Sequence, residues 1–405
     1  MPESIFCSFN DVAAEQRSSG AVGFYVAQQN TGILEVSFDP SKSLNDSLSV
    51  VATTIAGTQP QWLKAHNDKI YSISRTGFPT NSSTSGGIFV FLRPHSPATE
   101  GESLTLQDAE TSNGQGGVHC DVSPDGKTLA AANIEASTMA IYPLAEDGSI
   151  SEATYRFQYT LDQPGPGADD SQSEPFPHES AFDPTGKFLV VPARGEDRVH
   201  IYFVACAEKV NQLEDIVVPL GTGPRHTAFR QSATGQTFFY ILGELDNTIR
   251  VYSVEYGQAS SAISFTLHQT ISTLGPNLPP TAPDRVNLAS EFVFTADGNF
   301  AYACNRNTSS RDSDTFVIYS LKDTKSANHL TYLSIDKTLG KIPRHFALSS
   351  DPNNKYLAIA NEYSNDLIVF ERDQQSGLMK EIKGHLSLGD ANPVARNGPA
   401  CILWK

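Results

Sequence analysis

A unit of three apolar runs recurs along the chain, and this recurrence constrains the fold more than any other feature. In its clearest copy, residues 221–254, the runs PRHTAF, TFFYIL and TIRVYSV are separated by the turn signals Thr234-Gly235 and Asp246-Asn247. Runs rich in Val, Ile, Phe, Tyr and Thr between such turns are typical of consecutive antiparallel strands.

Alignment of the unit gives seven copies with a period of roughly 50 to 60 residues. Their first strands begin at Pro60, Gly116, Pro177, Pro224, Ala289, Pro343 and Pro399. The period is longer than that of a WD-repeat blade and is typical of a four-stranded propeller blade with longer loops. The sequence therefore predicts an all-β, seven-bladed β-propeller of four-stranded antiparallel blades. Almost no helix is expected, because no stretch has a 3.6-residue apolar period.

The seventh copy of the unit is split between the two ends of the chain. Its first strand, PACILWK, ends the chain, whereas its second and third strands, GFYVAQQ and GILEVSF, lie near the N-terminus. Pairing of the two ends would close the ring and protect the sheet edges. We therefore predict a single domain, 1–405, with an N-terminal arm, 1–20, and a seventh blade shared between 21–50 and 399–405.

The formal net charge of −16 limits the classes of partner. It argues against nucleic acid, which needs a basic surface, and against an anionic membrane. A small anionic substrate stays compatible, because a few local arginines dominate within a Debye length. The five cysteines include no C-x-x-C pair and indicate neither a disulfide framework nor a zinc site. The N-terminus lacks signal-peptide features, which predicts a cytoplasmic protein.

Polar residues at turn-aligned positions predict where a functional site lies, because the innermost strand of each blade lines the central channel. One column of the first strands reads His119, Glu179, His226, Glu291 and His345. The neighbouring column reads Val118, His178, Arg225, Ser290 and Arg344. The second strands end at Asn133, Arg194, Glu244, Arg306 and Glu362. Since side chains alternate faces along a strand, only one column is expected to point down the channel at a given level.

Four of these residues, His178, Arg225, Glu244 and Arg306, are predicted to be catalytic. Two cations, a titratable imidazole and a carboxylate would converge at one mouth of the channel. The residues expected to bind substrate around them are His119, His226, Glu291, Arg344 and His345. The alternative is that these side chains are only solvated, or paired with one another, in a wet channel. No metal or other cofactor is predicted, because the histidines come from separate blades without close ligand spacing.

Four stretches of the chain are similar to the seven-bladed propeller lactonase family. They are PHESAFDPTGKFLVVPARGEDRVHIY, PRHTAF with YILGELDNTIRVY, ASEFVFTADGNFAYACNR and PRHFALSSDPNNKYLAIANEYSNDLIVF. The resemblance covers nearly all of residues 23–405, and the family includes propeller-type 6-phosphogluconolactonases and fungal carboxy-cis,cis-muconate cyclases. The cyclase site is a His in the P-H strand, an Arg in P-R-H, the Glu of N-E-L-D and the Arg of S-N-R. By resemblance, these motifs fall on His178, Arg225, Glu244 and Arg306.

The motifs depart from the family at three positions. Gly243 replaces the Asn before the Glu, Cys304 replaces the Ser of S-N-R, and Phe176 stands where relatives often have a second His. These changes keep the charges of the motif and bear on the shape of the pocket, and so on the substrate.

The resemblance implies a cofactor-free enzyme that forms or opens a lactone on a small carboxylated compound. Muconate-type cycloisomerisation is the first expectation. Arg225 and Arg306 would clamp carboxylates bidentately, and His178 or Glu244 would exchange the proton. The alternatives are hydrolysis of a sugar lactone of the 6-phosphogluconolactone type, ring formation in secondary metabolism, and a non-catalytic binding scaffold. The expected partner is a small carboxylate or lactone, and a homo-oligomer is compatible with the sequence.

Overall fold

The polypeptide forms seven antiparallel β-sheets arranged as the blades of a propeller around a central channel. The computed structural model describes residues 22–94, 104–167, 170–276, 287–308, 313–391 and 397–405. These residues form 29 strands and no helix, which confirms the predicted fold. Accordingly, none of the described segments is a helix able to cross a membrane.

The strands follow one another blade by blade, from the channel outwards. The chain begins with β1 (Val22–Gln28), β2 (Gly32–Phe38) and β3 (Leu48–Thr54). Blade 1 contains β4 (Thr58–His66), β5 (Lys69–Thr76), β6 (Gly87–Leu92) and β7 (Thr105–Thr111). Blade 2 contains β8 (Gly117–Val122), β9 (Thr128–Asn133), β10 (Thr138–Pro143) and β11 (Tyr155–Gln158). Blade 3 contains β12 (Ala181–Phe182), β13 (Phe188–Ala193), β14 (Arg198–Cys206), β15 (Lys209–Gln212) and β16 (Ile216–Val217).

The second half of the chain repeats this order. Blade 4 contains β17 (Pro224–Gln231), β18 (Thr237–Gly243), β19 (Thr248–Tyr256) and β20 (Ile263–Ser272). Blade 5 contains β21 (Leu288–Phe294), β22 (Phe300–Arg306), β23 (Thr315–Leu321) and β24 (Leu330–Lys337). Blade 6 contains β25 (Pro343–Leu348), β26 (Tyr356–Asn361), β27 (Asp366–Arg372) and β28 (Met379–Ser387). The last strand is β29 (Pro399–Trp404).

The ring is closed by pairing of the two chain ends. Strand β29 pairs antiparallel with β1, so the closing blade has the order β29-β1-β2-β3. The Trp404 ring lies 4.9 Å from that of Phe24, centroid to centroid, and both belong to an apolar cluster shared with blade 6. The predicted closure is therefore confirmed. The predicted N-terminal arm, residues 1–20, lies outside the described residues.

The middle strands are buried on both faces, because each sheet packs between two neighbours. Every residue of β9 (TLAAAN) and β13 (FLVVPA) is buried. This explains why the second runs of the repeat are continuously apolar instead of alternating. The apolar clusters accordingly lie between neighbouring blades, and the polar residues of the inner strands line the channel.

A β-bulge near the start of the inner strands shapes the channel. In β17, Pro224 and His226 face the consecutive residues Gly243 and Leu242, so Arg225 is the extra residue. The inner strands β4, β8, β21 and β25 contain the same bulge, and their extra residues are Gln61, Val118, Ser290 and Arg344. A bulge interrupts the alternation of side chains. Because of the bulge, side chains of both neighbouring columns can turn towards the channel.

Candidate functional site

A cavity of about 300 Å³ lies at the channel mouth where the inner strands start and the second strands end. The start of each inner strand lies beside the end of the second strand, because the two strands are antiparallel neighbours. The charged lining residues are Arg75, Glu135, Arg194, Glu244, Arg306, Arg344 and Glu362. Four guanidinium groups thus face three carboxylates, which makes this mouth locally cationic in an acidic chain.

One position at the end of each second strand supplies much of this lining. It is the residue that follows the pairing partner of the inner-strand residue just before the bulge, such as Glu244 after Gly243, which pairs with Pro224. Around the ring it is occupied by Gln29, Arg75, Ile134, Arg194, Glu244, Arg306 and Glu362.

In blade 2 the strand-end position is Ile134 and not Asn133, the residue predicted from the sequence. Asn133 pairs with Gly117 inside the sheet, and its side-chain amide donates to the Ser112 carbonyl oxygen. The sequence placed this position one residue too early in blade 2, because no charged residue marks the end of that strand.

Glu244 is the centre of the cationic side of the mouth. Its Oε1 lies 3.2 Å from Arg194 Nη1 and 3.1 Å from Arg306 Nη2, and its Oε2 lies 3.2 Å from Arg225 Nε. Burial raises the pKa of Glu244, but the guanidinium groups of Arg306, Arg194 and Arg225 outweigh burial and hold it at about 2. Glu244 is therefore ionised at neutral pH and is a poor proton acceptor.

His178 is the imidazole of the cavity lining. It is 4% exposed, and its Nδ1 is buried without a hydrogen-bond partner among the described residues. Burial, and then the charge of Arg225, lower the pKa of His178 well below 6.5. The ring is therefore a neutral free base at pH 7, and His178 lines the cavity.

Arg225 lies behind the lining instead of on it. Its side chain is 2% exposed, and its Nη1 donates to the backbone oxygen of Ser290. Its Nε faces Glu244, which does line the cavity. The four residues predicted to be catalytic are thus gathered at one mouth. Three of them reach the cavity, whereas Arg225 supports one of those three.

The histidine column lies one level deeper and is packed around Trp62. The ring of Trp62 lies 4.3 Å from His119, 5.4 Å from His226 and 5.0 Å from His345, centroid to centroid. Glu291 Oε2 lies 3.1 Å from His226 Nδ1 and 3.4 Å from His345 Nε2. The four predicted substrate-binding residues of this column, His119, His226, Glu291 and His345, therefore contact other members of the layer. Only the fifth, Arg344, belongs to the cavity lining.

Burial keeps the groups of this deeper layer close to neutral. It lowers the pKa of His345 to about 4 and raises that of Glu179 to about 8. Among the residues that the structure describes, no group of three or more His, Cys, Asp or Glu is placed to hold a metal ion. Metal independence stays a prediction.

Two lining residues adopt a backbone conformation that their side chains disfavour. Phe176 and Ile342, each just before the proline of an inner strand, have φ of 51° and 56°. The equivalent positions in blades 2 and 4 are Gly116 and Gly223, which accept positive φ without strain. For a residue with a Cβ, the left-handed region costs roughly 1–2 kcal/mol. Phe176 uses this conformation to place its ring 5.0 Å from the guanidinium carbon of Arg194.

The depressed pKa of Glu244 predicts an acid-sensitive contribution to stability. The pKa falls from an ordinary 4.5 to about 2, so ionised Glu244 stabilises the fold above pH 4.5 by about 3 kcal/mol. This contribution is lost as the pH falls through 2. We therefore expect Glu244→Gln to lower the free energy of unfolding strongly at pH 7 and progressively less towards pH 3, measured by urea denaturation. An equal loss at both pH values would contradict the assignment.

Comparisons with a family model, with similar sequences and with solved structures all find proteins described as lactonases. A family model described as "Lactonase, 7-bladed beta-propeller" matches residues 19–403. A "Probable 6-phosphogluconolactonase" of Arthroderma benhamiae is 28% identical over 398 residues, which are 94% of this chain and 88% of that protein. The 6-phosphogluconolactonase of Bacillus subtilis is 24% identical over 369 residues, 91% and 95% of the two chains. The periplasmic gluconolactonase PpgL of Pseudomonas aeruginosa shares the fold, with a TM-score of 0.77 at 22% identity over 95% and 99% of the chains.

Proposed function

We propose, from the premise that the chain belongs to the seven-bladed β-propeller lactonase family, that it hydrolyses the lactone of a phosphorylated sugar acid. Both relatives described above are named as 6-phosphogluconolactonases, the Arthroderma benhamiae protein as a probable one. These names favour the sugar-lactone alternative over the muconate-type cyclisation that was expected first. A small-molecule partner remains the expectation, without nucleic acid or membrane. The cytoplasmic location stays a prediction, since PpgL is named as a periplasmic protein.

One observation carries the proposal: a neutral imidazole with an unpartnered nitrogen lies among guanidinium groups at a single mouth. A lactone needs a proton acceptor for the attacking water and cations for the oxyanion that develops at the carbonyl. A phosphate on the same substrate is also matched by arginine, whose planar fork binds phosphate oxygens bidentately.

The reaction can be written with the residues of this site. The oxygen of water bonds to the lactone carbonyl carbon while the imidazole of His178 takes one proton of that water. Arg306 and Arg194 stabilise the negative charge that moves to the carbonyl oxygen. The ring C–O bond then breaks, and the ring oxygen takes the proton back from His178. The product is a hydroxy acid, which releases its carboxyl proton to solvent.

The environment of His178 suits a base that acts only with substrate present. In the unliganded site, Arg225 and Arg194 are among the charges that lower its pKa, so the free ring binds protons weakly. A phosphorylated substrate adds negative charge beside these arginines and raises the pKa towards the working pH. Glu244 takes no part as a base in this scheme, because its three guanidinium contacts keep it ionised.

The proposal is tested with a panel of three compounds after dialysis against a chelator. We expect proton release from 6-phosphoglucono-δ-lactone well above the spontaneous rate, slower catalysis on glucono-δ-lactone, and no loss of ultraviolet absorbance from 3-carboxy-cis,cis-muconate. Conversion of the muconate without lactone hydrolysis would reverse the choice between the two activities. Activity that returns only with a divalent ion would overturn the metal-free scheme.

A further inference from the structure

The side of the mouth opposite Glu244 carries a directional chain of side-chain hydrogen bonds. Arg344 Nη2 donates to Gln61 Oε1 at 3.0 Å, and Gln61 Nε2 donates to Gln29 Oε1 at 3.1 Å. Gln29 Nε2 in turn donates to Glu362 Oε1 at 2.8 Å. The chain begins on a cation of blade 6, crosses blade 1 and the closing blade, and ends on a carboxylate of blade 6.

The two amides in this chain have a single consistent orientation. Gln61 Nε2 also donates to the Gln59 backbone oxygen, and Gln29 Nε2 also donates to that of Gly398, both at 3.1 Å. Turning either amide over would place a nitrogen against a donor and an oxygen against a carbonyl. Hydrogen bonds aligned in this way strengthen one another. The network therefore holds Glu362 as a fixed acceptor.

Glu362 has acceptor capacity that the network does not use. It is 4% exposed and lines the cavity. Its Oε1 accepts from Gln29, but its Oε2 lies 3.7 Å from Arg344 Nη1, beyond hydrogen-bond distance. An ionised carboxylate can accept about four hydrogen bonds. Glu244, by contrast, has guanidinium groups at 3.1–3.2 Å on both of its oxygens.

The mouth therefore has two chemically different sides. In blades 3 to 5, Arg194, Arg225 and Arg306 surround one carboxylate and attract negative charge. In blade 6, the closing blade and blade 1, the oriented amides lead from Arg344 to the carboxylate of Glu362. The carboxylate at the end of this chain can accept hydrogen bonds from hydroxyl donors.

We propose that Glu362 is a specificity-determining residue that accepts hydrogen bonds from the ring hydroxyl groups of the lactone. This inference rests on the proposed lactone hydrolysis and names the residue that recognises the hydroxyl groups of its substrate. Adjacent hydroxyl groups on a sugar ring can both point at one carboxylate, which forms charge-assisted hydrogen bonds with them. A lactone without hydroxyl groups gains nothing from Glu362.

The test compares two six-membered lactones on one conservative variant. Glu362→Gln can keep the bond from Gln29 through its amide oxygen while the cavity-facing acceptor becomes an NH₂ group. We expect kcat/KM for glucono-δ-lactone to fall by about tenfold or more, mainly through KM. For δ-valerolactone, which lacks the hydroxyl groups, we expect a change of less than about twofold. The matched control is Glu371→Gln, near the far end of β27 in the same blade, which should change neither value.

Two outcomes would overturn the proposal. An equal loss on both lactones would mean that Glu362 acts through the structure of the site, and no loss on either would mean that it does not recognise hydroxyl groups. If the wild type hydrolyses neither lactone, turnover of 6-phosphoglucono-δ-lactone tests the proposed function separately, and calorimetry with gluconate and 5-hydroxypentanoate decides the role of Glu362. Glu362→Gln should then weaken binding of gluconate alone, and equal affinities of wild type and variant for gluconate would exclude the role.

Discussion

Replacing His178 with glutamine is expected to lower kcat for lactone hydrolysis by about 10²–10⁴-fold, the usual contribution of a positioned general base. Glutamine preserves much of the volume and polarity of the imidazole but cannot take the proton of the attacking water. Stability should change little, since His178 Nδ1 has no partner to lose among the described residues. Turnover and melting temperature measured on the same preparation separate the two effects.

The pH profile gives this prediction a second readout. Because burial and Arg225 lower the pKa of His178 well below 6.5, the free base predominates throughout the neutral range. The wild-type kcat/KM should therefore stay level from pH 8 to pH 6.5 and fall only at more acidic pH. In His178→Gln the residual rate should lose this acid limb.

A matched control tests whether loss of any buried imidazole has the same effect. His329 is fully buried between blades 4 and 5, where its Nε2 lies 2.6 Å from the Tyr240 hydroxyl, away from the cavity. We expect His329→Gln to lower the melting temperature and to leave kcat near the wild-type value. Near-normal turnover in His178→Gln would remove this residue from the mechanism, and the water would need another base.

The repeat made the fold predictable because turns mark it in six of the seven copies. A turn such as Asp125-Gly126 sets the register of the two strands that it joins, so the polar residues at their opposite ends can be aligned without a structure. The split seventh blade followed from the same alignment. His178, Glu244 and Arg306 were predicted at the channel mouth for this reason, and the structure places them there.

The remainder of the site depends on features that a strand pattern does not contain. The bulges decide that both columns of the inner strands reach the channel. The burial of Arg225 behind Glu244 depends on how far a long side chain extends across two blades. Trp62 occupies the level of the histidines in blade 1, where an apolar residue gives no sign of a channel position.

The amide network was missed for a related reason. Gln29 and Gln61 are uncharged, and Gln29 lies in the N-terminal part of the split blade. Their positions become meaningful only when closure brings them beside Glu362, 333 residues from Gln29 along the chain. The sequence predicted that Glu362 lies at a strand end. It did not predict the side-chain amide of Gln29, which donates to this carboxylate and holds it in place.

Deletion of Pro399–Lys405 is expected to abolish the cooperatively folded ring. The deletion removes β29, the inner strand of the closing blade, and with it four buried apolar side chains, Ala400, Cys401, Ile402 and Trp404. Burial of each larger side chain contributes about 1.5–3 kcal/mol. The lost backbone pairing with β1 adds to this cost, and the typical total stability of a domain is only about 5–15 kcal/mol. The truncated chain should therefore lack the thermal transition of the full-length protein.

The exposed edge of β1 gives the deletion a second consequence and a direct test. Without β29, the apolar strand β1 has unpaired backbone groups towards the channel, which favours aggregation. Removal of Lys405 alone is the comparison: it keeps β29 but takes the ion-pair partner from the buried Glu35 carboxylate, so we expect a lower melting temperature with the cooperative transition retained. Addition of the peptide GPACILWK should restore part of the transition by occupying the vacant edge. A truncated protein that melts like the full-length chain would show that the ring does not depend on closure by β29.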